Sequence, residues 1–159
     1  MDRHLEKSDL AVSIAAIVSE LKHLEGPLLP ILHAVQQTFG HVPDDAVPMI
    51  ATGLNLSRAE VHGVVTFYHD YRSHPAGRHV LKLCRAEACQ AMGGDRLGEQ
   101  ARARLGIDFH ETTADGAVTL EPVFCLGLCS TAPAAMLDGA VHGRLDASAL
   151  DSLLAEVAA

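Results

Sequence analysis

The sequence of 159 residues predicts an α/β (α+β) protein in two parts, a helical segment over residues 1–76 and a small α/β domain over residues 77–159. Two observations predict this division. Apolar residues recur with helical period in the first part, whereas short strand-like runs alternate with helical runs in the second. Between them, residues 72–78 have the sequence RSHPAGR, a polar stretch containing proline and glycine that is typical of a linker.

Four short helices are predicted in the first part. The first covers residues 9–25 and ends at Gly26-Pro27. The second begins at Pro27 and stops at Gly40, and the third runs from about residue 43 to residue 52. The fourth begins at Ser57-Arg58-Ala59-Glu60, which has the form of a capping box. The apolar face of the first helix is expected to contain Leu10, Ile14, Ile17, Leu21 and Leu24, and that of the second Leu28, Ile31, Leu32, Val35 and Phe39.

The second part is expected to open with a strand over residues 79–83. A loop with two cysteines follows, then a helix over residues 95–105 closed by Gly106, and another strand over residues 116–123. Asp138-Gly139 lies between two short apolar runs and predicts a hairpin, because this dipeptide suits a two-residue turn. Asp146 is placed to cap a last helix, whose buried face would contain Leu150, Leu153, Leu154 and Val157.

Composition and charge exclude several classes of protein. Hydrophobic residues make up 48% of the chain and aromatic residues only 4%, so the core must be aliphatic. The net charge is −8, and both parts are acidic, which argues against nucleic-acid binding. Residues 47–68 imitate a helix-turn-helix, but Arg58 is the one basic residue of its second helix. The sequence contains no apolar signal or membrane span, so we expect a cytoplasmic protein with reduced thiols.

The four cysteines form two groups, Cys84-x4-Cys89 and Cys125-x3-Cys129. Each group follows a predicted strand, so two loops at one end of a sheet would bring the thiols together. A structural zinc site usually uses C-x2-C knuckles, a dithiol redox site uses C-x-x-C, and two disulfides would suit a secreted domain. A [2Fe-2S] cluster fits the wider spacing better, because it takes two thiolates on each iron and is longer than a single ion.

The residues around the cysteines suggest how such a cluster would be accommodated. Its negative charge calls for backbone N–H donors and for a positive neighbour, and Arg85 is the candidate for tuning the cluster. Glu87 is expected to face water. Gly93-Gly94 and Gly127 would allow close or left-handed backbone approach where a side chain would collide with the cluster. An apolar lid over the sulfurs is expected from Met92, Leu126, Leu128 and Ala132.

These motifs resemble the thioredoxin-like [2Fe-2S] ferredoxin family. The resemblance rests on C-x4-C followed by CLGLCSTAP at 125–133, and on LLPILHAVQ at 28–36, FGHVP at 39–43 and AEVHGVVTFY at 59–68. It implies a thioredoxin-like domain with a small mixed sheet after an N-terminal four-helix segment. It also implies that the four cluster ligands are Cys84, Cys89, Cys125 and Cys129.

The resemblance further implies an electron-transfer subunit without catalytic residues of its own. The sequence CRAEACQAMGG at 84–94 is most similar to the gamma subunit of cytoplasmic, molybdenum-dependent, NAD-linked formate dehydrogenases. Segment 1–76 would then dock on a partner subunit that carries FMN and binds NAD, in a hetero-oligomer with a larger catalytic subunit. Further Fe-S clusters and a molybdenum cofactor would lie on the partners. The alternatives are the equivalent subunits of complex I, the NADH:quinone oxidoreductase, or of an NAD-reducing hydrogenase.

Overall fold

The structure is a computed structural model that describes residues 7–157, with side chains from Asp9 onward. The chain divides between Pro75 and Ala76 into two compact units. The outer ends of the two predicted segments, residues 1–6 and 158–159, lie outside the described residues. Within residues 7–157, every helix is too short or too polar to cross a bilayer.

The first unit is helical, as its sequence predicts. Its elements are α1 (Lys7–Leu21), α2 (Leu28–Phe39), α3 (Ala46–Leu54) and α4 (Arg58–Phe67). Pro27 has helical dihedrals and its carbonyl accepts the N–H of Ile31 at 3.0 Å, so proline does open α2. Ser57 and Glu60 form both hydrogen bonds of the capping box, at 2.8 and 3.2 Å. The predicted starts of α2 and α4 are therefore confirmed.

The predicted end of the first helix is wrong. Helix α1 stops at Leu21, and Leu24 lies in the following turn with 39% of its surface exposed. The helical pattern predicts that Ile17 lies in the core. In the structure Ile17 is only half-buried, and Val18 is buried instead. The reason for the burial of Val18 lies in α3: a Cβ on Gly53 would lie 2.6 Å from Val18 Cγ1, so α1 meets α3 closely along the Val18 side.

One glutamine holds the last residues of the first unit in place. Gln36 donates from Nε2 to the carbonyl of Asp70 at 2.7 Å and accepts the N–H of Arg72 at 2.8 Å. The carbonyl of Arg72 accepts the N–H of Val42. These bonds hold the segment after α4 against α2. The core beneath them is aliphatic, as the composition predicts, and its largest fully buried side chains are Ile14, Ile31, Leu32, Val35, Val42, Ile50 and Val61.

The second unit is a five-stranded mixed sheet with helices, which agrees with the predicted α/β class. Its strand order is β2-β3-β1-β4-β5, with β1 and β3 parallel and the other neighbours antiparallel. Two of its elements, α5 and β2, were not predicted, because they are too short to show a period. The elements are β1 (His79–Cys84), α5 (Glu87–Ala91), α6 (Gly94–Leu105), β2 (Glu111–Thr112), β3 (Val118–Val123), β4 (Ala135–Leu137), β5 (Ala140–His142) and α7 (Ala147–Val157).

The predicted hairpin and last cap are confirmed. Asp138 and Gly139 both have positive φ, at 49° and 90°, as a type I′ turn requires. Asp146 Oδ1 accepts the N–H of Ala149 at 2.8 Å and so caps α7. All four residues expected on the inner face of α7 are buried, and they join the strands in one core.

The side chain of Asp138 also connects this hairpin to the start of β1. Its Oδ1 accepts the N–H of Val80 at 2.8 Å, and its Oδ2 lies 2.7 Å from His79 Nδ1. Partial burial raises the pKa of the Asp138 carboxyl, but the hydrogen bonds from His79 and Val80 outweigh it and hold the pKa below its ordinary value of 3.8. The carboxylate form therefore stabilises the folded state.

The Asp138→Asn variant should reveal this contribution through its pH dependence. Because the folded-state pKa is depressed, the stabilisation is present above the unfolded value and is lost as pH falls through the folded pKa. The difference in urea midpoint between the wild type and Asp138→Asn should thus be largest near neutral pH and shrink in acid. A difference that stays constant over that range would contradict a role for the charge.

Candidate metal centre

The carboxyl ends of β1 and β3 lie at the same edge of the sheet. The two strands are parallel neighbours, and Cys84, the last residue of β1, is paired with Val123, the last residue of β3. Cys125 follows two residues later, so both cysteine loops leave the sheet side by side. The predicted convergence of the two loops at one end of the sheet is present.

The first loop holds its two cysteines by backbone hydrogen bonds and one turn of helix. The N–H of Cys84 donates to the carbonyl of Ala134 at 3.0 Å, and that of Arg85 donates to Val123 at 2.8 Å. The short helix α5 then carries Cys89 back toward Cys84, and the two residues lie in one buried cluster. Both residues are buried.

Gly94 allows the start of α6 to lie against this loop. A Cβ on Gly94 would lie 2.7 Å from the carbonyl oxygen of Cys89 and 3.4 Å from that of Cys84. Real side chains do not approach backbone so closely, so only glycine fits without a shift of the loop. The expected close approach is therefore present, and its neighbour is the backbone of the two cysteines.

The second loop has a strained start. Cys125 has φ of 95°, which is uncommon for a residue with a side chain and costs about 1–3 kcal/mol. Its sulfur accepts the N–H of Gly127 at 3.4 Å, and the following 3-10 turn, Cys129–Thr131, brings Cys129 Sγ to 3.6 Å from Cys125 Sγ. Two thiolates on one tetrahedral ion with metal–sulfur bonds of about 2.3 Å lie about 3.8 Å apart. The spacing of this pair therefore suits one metal ion.

The pKa values of the thiols show that the two loops act on one another. Burial raises the pKa of Cys84, but hydrogen bonds from the backbone N–H groups of Ala86, Cys125 and Leu126 and from Cys89 outweigh it, so the pKa is lowered. Burial and the bond to Cys84 raise the pKa of Cys89. The hydrogen bond with Cys125 raises the pKa of Cys129, and the charge of Cys84 adds to it. The backbone donors thus favour the thiolate form of Cys84, and a cation among the sulfurs would relieve the repulsion between thiolates.

Apolar side chains surround the buried pair. Ala134 is buried with Cys84 and Cys89, and the neighbours packed against them include Leu126, Leu128 and Ala132, as expected. Met92 is 64% exposed and lies outside this cluster, so its predicted place in the lid is wrong. Met92 is the C-cap residue of α5, directly after Ala91. Cys125 and Cys129 are exposed, with Phe124 73% exposed beside them.

The charged residues of the first loop have partners that the sequence did not reveal. Arg85 Nη2 lies 3.0 Å from Asp95 Oδ1, and its guanidinium carbon lies 5.1 Å from the ring centroid of Phe109. Glu87 is exposed, as expected. Since Asp95 lies ten residues beyond Arg85 and Phe109 lies beyond α6, no local sequence pattern marks these contacts.

The donor set fits a binuclear cluster. All four cysteines are free thiols in the structure. A structural zinc site would need four donors around one ion, whereas a [2Fe-2S] cluster needs two pairs, one for each iron. The arrangement in pairs therefore suits the cluster.

Comparisons with known proteins identify a family to which the chain is similar. Residues 14–158 match the model of the thioredoxin-like [2Fe-2S] ferredoxin family. One subunit of the NADH-quinone oxidoreductase of Pseudomonas aeruginosa is 38% identical over 143 residues, covering 88% of this chain and 86% of that protein. The HndA subunit of the NADP-reducing hydrogenase of Solidesulfovibrio fructosivorans is 29% identical over 143 residues, covering 90% and 84%.

A solved structure with a similar fold is the NAD+-reducing [NiFe]-hydrogenase in its air-oxidised state. The similarity has a TM-score of 0.69 with 27% sequence identity and covers 82% of this chain. It covers only 22% of the hydrogenase chain, so this chain corresponds to a small part of that protein. The match supports the mixed α/β, thioredoxin-like architecture described above.

The close approach at Gly94 predicts different effects for two glycines of the same helix. Gly94→Ala should destabilise the metal-free chain by about 1–3 kcal/mol, because the Cβ overpacks the backbone of Cys89. Gly98→Ala is the matched control, since its Cβ would meet Phe109 only at ordinary contact distance, 3.4 Å. It should be neutral or stabilise by up to about 1 kcal/mol. Urea unfolding checks this, and equal midpoints for the two variants would refute it.

Proposed function

The chain belongs to the thioredoxin-like [2Fe-2S] ferredoxin family, and we propose that it is the [2Fe-2S] electron-transfer subunit of an NAD-linked oxidoreductase complex. The observation that carries the proposal is the convergence of two cysteine pairs at the shared edge of β1 and β3. The family membership supports it. The chain itself would be an electron carrier, and the substrate chemistry would belong to its partners.

In this proposal the four cysteines are the cluster ligands, Cys84 and Cys89 as one pair and Cys125 and Cys129 as the other. The bound cluster supplies storage of single electrons beside a two-electron carrier. The chain's own residues hold the sulfurs in place. The backbone N–H groups of Ala86, Cys125 and Leu126 lower the pKa of Cys84, and the N–H of Gly127 donates to Cys125 Sγ at 3.4 Å. Such donors stabilise negative charge on sulfur.

The relatives favour one kind of complex over another. Those named above are subunits of NADH-quinone oxidoreductase and of an NADP-reducing hydrogenase. We therefore propose a complex of this kind, in which the partner subunit binds FMN and NAD. Assignment to formate dehydrogenase, with a molybdenum cofactor and further Fe-S clusters on the partners, rests on residues 84–94 alone, and the relatives do not support it. Subunits that co-purify with the chain would distinguish these complexes.

The partner contacts are proposed for two surfaces of different character. The helical unit exposes Phe67 at the end of α4, with 72% of its surface accessible, and Tyr68 beside it. Exposed aromatic side chains of this kind are typical of protein interfaces. In the second unit, the exposed cysteine pair and Phe124 form the side of the site open to a redox partner. A cytoplasmic location is part of the same proposal.

Replacing one proposed ligand tests the ligand set. Chain purified without oxygen should contain iron and acid-labile sulfide in equal amounts and give a low-temperature EPR signal when reduced. Cys125→Ser should lose most of both, because a hydroxyl is a poor replacement for thiolate. Ser130→Ala, in the same loop, should keep them. A colourless wild type that holds zinc without sulfide would overturn the proposed function.

The ion pair next to Cys84 predicts opposite shifts in reduction potential. Arg85→Gln removes a positive charge that favours the reduced cluster, so the midpoint potential should become more negative. Asp95→Asn leaves the Arg85 guanidinium without its counter-charge, and the potential should become less negative. Arg104→Gln is the control, because Arg104 lies at the far end of α6 and pairs with Asp151 of α7. Potentials that do not move in opposite directions in a redox titration would remove Arg85 from the tuning groups.

A further inference from the structure

The turn that carries Cys129 is held by the segment that follows β5. Thr131 closes the turn by donating both its N–H, at 2.9 Å, and its hydroxyl, at 3.2 Å, to the carbonyl of Leu128. On its other side, the carbonyl of Thr131 accepts the N–H of Arg144 at 2.5 Å. Two residues further on, the carbonyl of Pro133 accepts the N–H of Leu145 at 3.0 Å. Residues 143–145 therefore fix the turn to the β4-β5 hairpin.

Gly143 lies at the point of closest contact in this junction. A Cβ there would lie 2.6 Å from Thr131 Oγ1, 3.0 Å from Thr131 Cβ and 3.0 Å from its carbonyl oxygen. Two of these three neighbours cannot move without moving the turn, since one is backbone and the other is attached directly to it. Gly143 does not have the positive φ of a turn glycine, so an alanine could adopt its backbone conformation. The physical reason for glycine at this position is thus that a Cβ has no room there.

We propose that Gly143 is a positioning residue for the Cys125 and Cys129 pair. Without a side chain it lets residues 143–145 lie against Thr131, and this contact fixes the turn Cys129–Thr131, and so the 3.6 Å spacing of the two sulfurs. The inference rests on the proposed function, in which this pair binds one iron of the cluster. Gly94 has the corresponding place behind the other pair, so each pair depends on one close glycine contact.

The test uses the full chain with four variants: Gly143→Ala, Thr131→Ala, the double variant, and Gly63→Ala as control. Gly63 lies in α4, and a Cβ there would meet nothing within 4 Å. One readout needs no cluster. Phenylarsine oxide loses water as it forms two As–S bonds with neighbouring thiols, and peptide mass spectrometry reports how fast it bridges Cys125 and Cys129 in the reduced, metal-free chain.

Gly143→Ala should slow this bridging several-fold and change the EPR line shape of the reduced, cluster-loaded chain, whereas Gly63→Ala should leave both as in the wild type. The double variant should bridge faster than Gly143→Ala, because it lacks the nearest atom, Thr131 Oγ1. If Gly143→Ala does not fold, the double variant carries the test and should bridge more slowly than Thr131→Ala alone.

Bridging at the wild-type rate in Gly143→Ala, even with a lowered melting temperature, would overturn the inference and leave Gly143 a merely structural residue. In the double variant, a rate equal to that of Thr131→Ala would do the same. Absence of iron and sulfide from the wild type would instead overturn the proposed function. In that case the rate at which phenylarsine oxide bridges Cys125 and Cys129 still tests whether Gly143 positions the two thiols.

Discussion

The site depends on the parallel pairing of β1 with β3. Because the two strands run in the same direction and end in register, the loops that follow them begin next to each other. An antiparallel pair would place those loops at opposite ends of six-residue strands, about 20 Å apart. Parallel neighbours need a long crossover, and residues 85–117 provide it, with α5, α6 and β2. Cys84 ends β1 just before that crossover, and Cys89 lies in its first helix.

The remaining elements determine how the sulfurs of these two neighbouring loops are arranged. Strand β4 lies on the other side of β1, where the carbonyl of Ala134 accepts the N–H of Cys84. Backbone N–H groups of Ala86 and, from the loop after β3, of Cys125 and Leu126 lower the pKa of Cys84. The outcome is one buried pair and one exposed pair. The buried pair is shielded from water, whereas the exposed pair is accessible to a partner.

The features that the sequence predicts best are those that depend on residues close together in the chain. The capping box at Ser57, the hairpin turn at Asp138-Gly139 and the cap at Asp146 follow from local hydrogen bonding. The helix α5 and the strand β2 span five and two residues, too few for a period to show. The burial of Val18 on α1 depends on its contact with Gly53, and the Arg85–Asp95 pair depends on the path of α6. Such contacts require the folded chain. The convergence of the cysteine loops could be predicted, because it follows from the order of strands and loops along the chain. The branch of the family to which the chain belongs could not be predicted in this way.

The central claim is that the two cysteine pairs form one site that binds a single binuclear cluster. Native mass spectrometry of the chain purified without oxygen tests this most directly, because it counts metal and sulfide on each molecule. We expect one added mass equal to two irons and two sulfides, lost as a unit when the chain is acidified. One zinc, one iron without sulfide, or a chain lighter by the hydrogens of two disulfides would contradict it.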